Sequence, residues 1–409
     1  MRLAAALAAF ALTTTSVLAA VSPAGAAVAP RPFTPAGLEL GSTPAVWNGA
    51  GLVTTQADLD GNLHAYEQAP GATSWKKTVI ATAAGNGGAK YGSPWITATA
   101  TSVQVVSEDA NGNIWFFQQI DGKTKWSAPE YVGTVSLSDL AGFQVPKIAW
   151  TGVPGHTGTN SVITIMDGSG NVLFWYQNGS SWIEQTVATG TEDNPYYTPA
   201  ITATDKGIVI MAFAFNGAFD SWYQPYGGSG WTSDGTVGAP PGEQFEYVSA
   251  TWDGTHVDVA AAFDTGDDPR GSGPDELLLL TKTDSAEFWS KENILTTSDS
   301  QRLTGYTDIA WTGFNLVMSA VQLQTPTTER VDFWWQGSTF TNFNFESAAA
   351  VKSPQLLFAA TLLSNADSSG EGAIFAQYFA TNDYTHVGLL DWTQPVGQPG
   401  WTRHTVTPS

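Results

Sequence analysis

The chain has 409 residues, with 16 Lys and Arg against 37 Asp and Glu, a formal charge of −21 and no cysteine. The lack of cysteine excludes a disulfide framework and thiol catalysis. The acidity makes phosphate backbones and anionic membranes poor partners, so neither nucleic acid nor membrane insertion is expected.

Residues 1–26 read as an export signal, with Arg2 as the positive flank, LAAALAAFAL (3–12) as the apolar stretch and Ala24-Gly25-Ala26 as the cleavage site. That stretch is too short to span a bilayer, so the sequence predicts a secreted, extracellular protein. Residues 27–42 form a leader or linker, and 43–409 a single domain.

The domain is built from one degenerate repeat. Each unit opens with a short element ending in small residues: PAVWN (44–48), PWITA (94–98), PKIAW (146–150), PAITA (199–203), EYVSA (246–250), TDIAW (307–311) and PQLLF (354–358). Its alanines suit an innermost strand, where neighbouring units converge and large side chains do not fit. A β-branched run follows, such as GLVTTQAD (51–58), SVQVVSED (102–109), SVITIMD (161–167) and GIVIMAFAF (207–215). Next come GNLHAYEQ (61–68), GNIWFFQQ (112–119) and GNVLFWYQ (170–177), echoed by AFDSWYQ (218–224) and VDFWWQ (331–336). Most copies are followed by a polar turn and a Trp: Trp75, Trp126, Trp182, Trp231, Trp289 and, in the last unit, Trp401.

This pattern predicts an all-β fold, a seven-bladed β-propeller of four-stranded antiparallel blades. The last unit has lost most of the motif, so a six-bladed ring with a divergent extra segment stays open, as does an array of two-sheet sandwiches.

The segments DLDGN (58–62), DANGN (109–113) and DGSGN (167–171) contain calcium-like spacings of Asp and Asn. A helical calcium loop also needs Glu at its twelfth position, where Ala69 and Ile120 stand. A hairpin turn, with Gly at positive φ and Asp bonding its own backbone, explains the segments better. SEDANGNIW (107–115) resembles the Asp-box turn of sialidase-like propellers with one extra residue, and that box is itself a structural hairpin.

His64, His156, His256, His386 and His404 are isolated, so no metal site and no cofactor are expected. Glu192, Asp193, Glu243, Glu246, Asp264, Asp267, Asp268, Asp275 and Glu276 could pair for glycoside hydrolysis, but a solvated acidic rim explains them equally well. No catalytic residue is assigned. The repeated aromatics belong to packing between blades. Those at positions that vary between units are the candidate ligand-binding residues: Tyr91, Trp95, Tyr196, Tyr197, Phe245, Tyr247 and Tyr306. Aromatic rings beside carboxylates and amides can stack on the apolar face of a sugar.

Tandem Gly-Asn-aliphatic-x-aromatic-aromatic-x-Gln units followed by Trp resemble the repeats of secreted bacterial β-propellers, including lectin-type ones, clearly over 61–345. The resemblance implies a glycan or polysaccharide partner, bound without catalysis in one or a few pockets. A glycoside hydrolase or lyase on the acidic face and an extracellular protein-interaction scaffold are the alternatives.

Overall fold

The repeated runs form strands because β-branched and aromatic side chains fit a pleated surface buried on both faces. The computed structural model describes the chain from Ala45 to Thr405 except 48–50, 70–71, 73, 100–101, 121–124, 138–144, 153–160, 239–243, 265–274, 284–288, 298–301, 304–306, 312–315, 326–327, 337–342, 348–350, 353–355, 365–371, 380–386 and 395–401. Beyond Trp334 the strands are described by their backbone alone. The export signal, the leader and the last unit's Trp401 therefore lie outside the described residues.

Five successive units each give a four-stranded antiparallel sheet, in chain order from the inner strand to the outer. The inner strands are Ala45–Trp47, Trp95–Ala98, Lys147–Trp150, Tyr196–Ala203 and Gln244–Trp252. The matching outer strands are Lys76–Ala81, Glu130–Thr134, Ser181–Ala188, Thr232–Val237 and Ser290–Thr296. The last unit, where the motif fades, nevertheless forms a regular four-stranded sheet running from Leu356–Ser364 to Thr402–Thr405.

The expectation of seven four-stranded blades is corrected: among the described residues the four-stranded antiparallel blades number six. Residues between Arg302 and Lys352 form a sheet of six strands instead. Its central hairpin, Leu316–Thr325 with Thr328–Gln336, outgrows the six-residue strands of the first blades. Backbone groups on the extra length need partners. Arg302–Leu303 pairs with Gln322 and Leu323, and Val351–Lys352 pairs with Glu329 and Thr328. The surplus length recruits two short strands from the flanking connections.

Inner strands contact one another in chain order, and Leu356–Ser364 contacts Ala45–Trp47, closing a propeller ring. The core is therefore a series of interfaces between sheets rather than one central mass. Val53, Leu63, Ile96 and Phe117 fill the first interface, and Val106, Ile148, Ile163 and Trp175 the next.

In the third, fourth and fifth sheets the recurring Trp locks the sheet onto its predecessor's aromatic strand or outer edge. Trp182 meets Phe116 edge-on at 5.3 Å, Trp231 meets Phe174 at 4.9 Å and Trp289 meets Phe219 at 5.6 Å. Their indole nitrogens donate to Glu130 (2.8 Å), Gln185 (3.2 Å) and Ser221 (3.1 Å) of the preceding sheet.

The Gly-Asn start of the repeat has two separate jobs. Gly61, Gly112 and Gly170 turn the chain at φ of 78°, 79° and 76°, and a Cβ at Gly112 would stand 2.3 Å from the Val135 carbonyl oxygen. Asp58, Asp109 and Asp167 accept from the backbone N–H of Asn62 (2.8 Å), Asn113 (3.1 Å) and Asn171 (2.9 Å). Those asparagines reach the outer strand's end: Asn62 and Asn171 accept from the N–H of Ala83 and Gly190, and Asn113 accepts from the Thr134 hydroxyl. The Asp-rich segments are thus hairpin turns whose carboxylates are engaged by their own loops.

One regularity has no counterpart in the sequence motif. The outer strand of each of the first five sheets carries a bulge against its neighbour, at Ile80, Val132, Val187, Asp234 and Ile294. Such a bulge twists an exposed strand edge away from further pairing. Ile80, Val132, Val187 and Ile294 pack into the clusters between sheets. Asp234 instead reaches Lys282 of the following sheet, Oδ1 to Nζ 2.8 Å.

Candidate binding site between adjacent sheets

Two cavities follow from the ring. The first lies on its axis, about 370 Å³, and is lined by inner-strand residues including Ala45, Ala149, Ala203 and Ala250. Small side chains keep this axis open, as the repeat implies. Its polar groups include Lys147, Ser249 and Asp308, and Trp150, Trp252 and Trp311 line it as well. The Lys147 ammonium sits 3.1 Å from the centroid of the Trp95 ring. Burial pushes this amine down to about 7, and the Asp308 carboxylate opposes the shift. Asp308 in turn accepts from the Ser249 hydroxyl at 2.5 Å.

An unfolded lysine keeps its proton to near 10.5, so between pH 7 and that value the unfolded chain binds the extra proton and stability rises with pH. In urea unfolding, the Lys147→Met variant is expected to lose this rise and to gain up to about 4 kcal/mol at pH 7. An unchanged slope between pH 7 and 9 would remove Lys147 as its source.

The second cavity, about 440 Å³, opens between the fifth sheet and the six-stranded sheet and is lined by Asp253, Thr255, His256, Asp258, Leu279, Thr281, Trp311 and Leu316. It exists because the fifth sheet's inner hairpin is longer. In the second and fourth sheets the inner ladder ends at Ala98↔Val103 and Ala203↔Ile208, whereas here it continues past Ala250↔Val259 to Thr251↔Asp258 and Trp252↔Val257. The turn itself follows a shared design. Thr99 accepts from the Ser102 N–H (2.9 Å) and Thr204 from the Gly207 N–H (3.1 Å). Asp253 does the same with His256 N–H (2.5 Å), and its Oδ2 meets the imidazole Nδ1 at 2.9 Å.

Asp258 is 3% exposed, and its Oδ1 accepts from the Thr281 hydroxyl at 2.8 Å. Among the described residues the Thr281 hydroxyl is the one hydrogen-bond donor to this carboxylate. Burial raises this carboxyl to about 6, with the Thr281 hydrogen bond opposing and Asp253 adding to the rise. A half-buried indole, Trp311, faces these groups across the interface and lines both cavities.

Of the seven aromatics singled out from the sequence, the five with described side chains occupy different settings. Tyr91 is 1% exposed and packs edge-on against Phe117. Tyr197 is buried and stacked on Phe213, with ring centroids 5.3 Å apart. Tyr196 is half-buried and donates its hydroxyl to Asp220 at 3.1 Å. Trp95 lines the axial cavity beneath Lys147. Tyr247 is half-buried in Gln244–Trp252. The side chain of Phe245 and the whole of Tyr306 lie outside the described residues. Of the acids, Asp275 is engaged by the Leu303 N–H at 2.5 Å, while Glu243, Asp267 and Asp268 are outside the described residues.

The pocket that combines an aromatic ring with carboxylates lies at the opposite end of the blades, where inner strands turn back. Its signal in the sequence is faint. DGTHVD (253–258) lengthens one hairpin and carries no repeat motif.

No protein-family model and no curated protein matches the sequence. Solved structures do. The BP39L lectin from Burkholderia pseudomallei aligns at TM-score 0.61 and 12% identity, over 90% of this chain and 100% of that one. A mutant of the Aleuria aurantia lectin in complex with Fucα1-6GlcNAc aligns at 0.50 and 14%, over 78% and 97%. A structure of two prolyl endopeptidases aligns at 0.50 and 13%, over 90% of this chain and 50% of that one. At such identities the likeness is one of fold, and it spans binding proteins and enzymes alike.

The chain thus has the all-β propeller fold found in lectins. With six four-stranded blades among the described residues, the seven-bladed form of the resemblance is corrected. Among the described residues no helix is long and apolar enough to cross a membrane.

Proposed function

We propose that this protein is a secreted carbohydrate-binding propeller without catalytic activity. The observation that carries the reading is the pocket of about 440 Å³ in which Trp311 faces Asp258, Thr281, Asp253 and His256. Ligand pockets of about 300–1,000 Å³ commonly combine apolar walls with a few placed polar groups. An indole stacks on the apolar face of a pyranose, and carboxylate, hydroxyl and imidazole take its hydroxyls. Residues 1–26 supply export, and the fold shared with the BP39L and Aleuria aurantia lectins supports the class.

Hydrolysis is the second reading, because Asp258 is held up to about 6 in a pocket that also contains Asp253. A glycosidase needs its second carboxylate free to act as base or nucleophile. Asp253 is instead committed to its own turn through Thr255, His256 and the imidazole.

A glycan array covering neutral, amino and acidic saccharides tests the proposal. Wild-type protein is expected to be retained by a defined subset and to release no reducing sugar from it. Retention by no glycan while folded at micromolar concentration, or turnover lost in Asp258→Asn, would overturn it.

A further inference from the structure

We infer that the pocket between the fifth sheet and the six-stranded sheet takes an amino sugar, with its protonated amine against Asp258 and its ring on Trp311. The inference rests on the carbohydrate-binding reading and narrows it to one class of saccharide.

The described lining residues include two carboxylates, one imidazole and two threonines, and among them neither Lys nor Arg. Asp258 is 97% buried and lines the pocket together with Leu279, Leu316 and Trp311, and one of its oxygens receives no hydrogen bond from the described residues. A carboxylate held in such surroundings is costly unless a donor meets it, and a cationic donor offsets the cost best. The elevated Asp258 carboxyl fits this strain. A hydroxyl could also meet that oxygen, yet an ammonium gains in addition from the indole face.

The chain's formal charge of −21 draws cations toward every cleft and repels uronates and sialosides. A metal ion is a poorer fit, since among the described residues no three His, Asp or Glu groups converge as ligands. Asp253 and His256 face Asp258 from the same hairpin, and among the described residues no charged side chain of the six-stranded sheet lines the pocket.

The test compares three tetrasaccharides by isothermal titration in 150 mM salt at pH 7: fully deacetylated glucosamine, its N-acetylated counterpart and galacturonate. The glucosamine tetramer is expected to bind at least tenfold tighter than the N-acetylated one, with galacturonate not binding. Asp258→Asn should remove at least tenfold of that affinity. For wild-type protein, affinity should fall between pH 7 and pH 5, where Asp258 takes up a proton, which also serves if the variant does not fold. Equal binding of the N-acetylated tetramer overturns the inference and leaves the carbohydrate reading standing. Glucosamine binding untouched by both Asp258→Asn and acidification is general polycation attraction and overturns it too. No saccharide bound here or on the array overturns both.

Discussion

Glu108→Met is expected to raise stability by about 2–4 kcal/mol at pH 8 and by much less near pH 4. Glu108 is 9% exposed at the end of Val103–Glu108, and its Oε1 finds no hydrogen-bond partner among the described residues. Burial lifts the carboxyl to about 8, and the neighbouring Asp109 adds to the rise. The folded protein therefore holds a proton that the unfolded chain releases at 4.5. Stability falls as pH rises from that value to about 8 and is flat above it. A tenfold change in proton affinity corresponds to about 1.4 kcal/mol, and partial exposure and relaxation reduce the sum. The same position in the other sheets is Ala57, Met166 and Phe213, all buried and apolar. Methionine already fits there in the third sheet. Urea unfolding at both pH values decides the matter, and a loss of stability at pH 8 would show that Glu108 has an unseen partner.

Trp311→Ala is expected to weaken saccharide binding about 10–100-fold, the range of a buried aromatic anchor. The indole is half-buried at the end of Asp308–Trp311, and its backbone N–H donates to Thr251 at 3.3 Å. Truncation leaves the backbone tie in place and removes the apolar wall opposite Asp258. The cost in stability should stay near about 1–3 kcal/mol, since the ring is only partly packed against the core. Tyr131→Ala supplies the control: that ring is 53% exposed on an outer strand of another sheet. Titration with the glycan best retained on the array should show loss in the first variant alone. Equal affinity in Trp311→Ala would move the site elsewhere.

Much of the scaffold was legible because the repeat states its physics locally. Gly-Asn after an Asp predicts a hairpin, and the structure shows the glycine's positive φ and the asparagine's tie to the outer strand. Alanine in the opening element predicts a crowded inner strand, and those alanines line the axis. The six-stranded sheet was not legible, because it depends on how far a hairpin outgrows its neighbours and not on residue type. The outer-strand bulges are equally silent, since Ile, Val and Asp all occupy them.

Aromatics that vary between units drew attention to one end of the blades. Tyr91 and Tyr197 are instead buried in the clusters between sheets, Tyr91 against Phe117 and Tyr197 against Phe213. The pocket arises at the other end, from two extra residue pairs in one hairpin and an indole contributed some sixty residues later. The extra pairs do not repeat, and the indole shares its repeat position with Trp150, so periodicity marks out neither.

Diffraction from crystals soaked with the best array glycan bears on this most directly. A pyranose resolved over the Trp311 indole, within hydrogen-bonding reach of Asp258, is the outcome expected. Sugar found only along the ring axis beside Lys147, or on the loops around Tyr196, would contradict it.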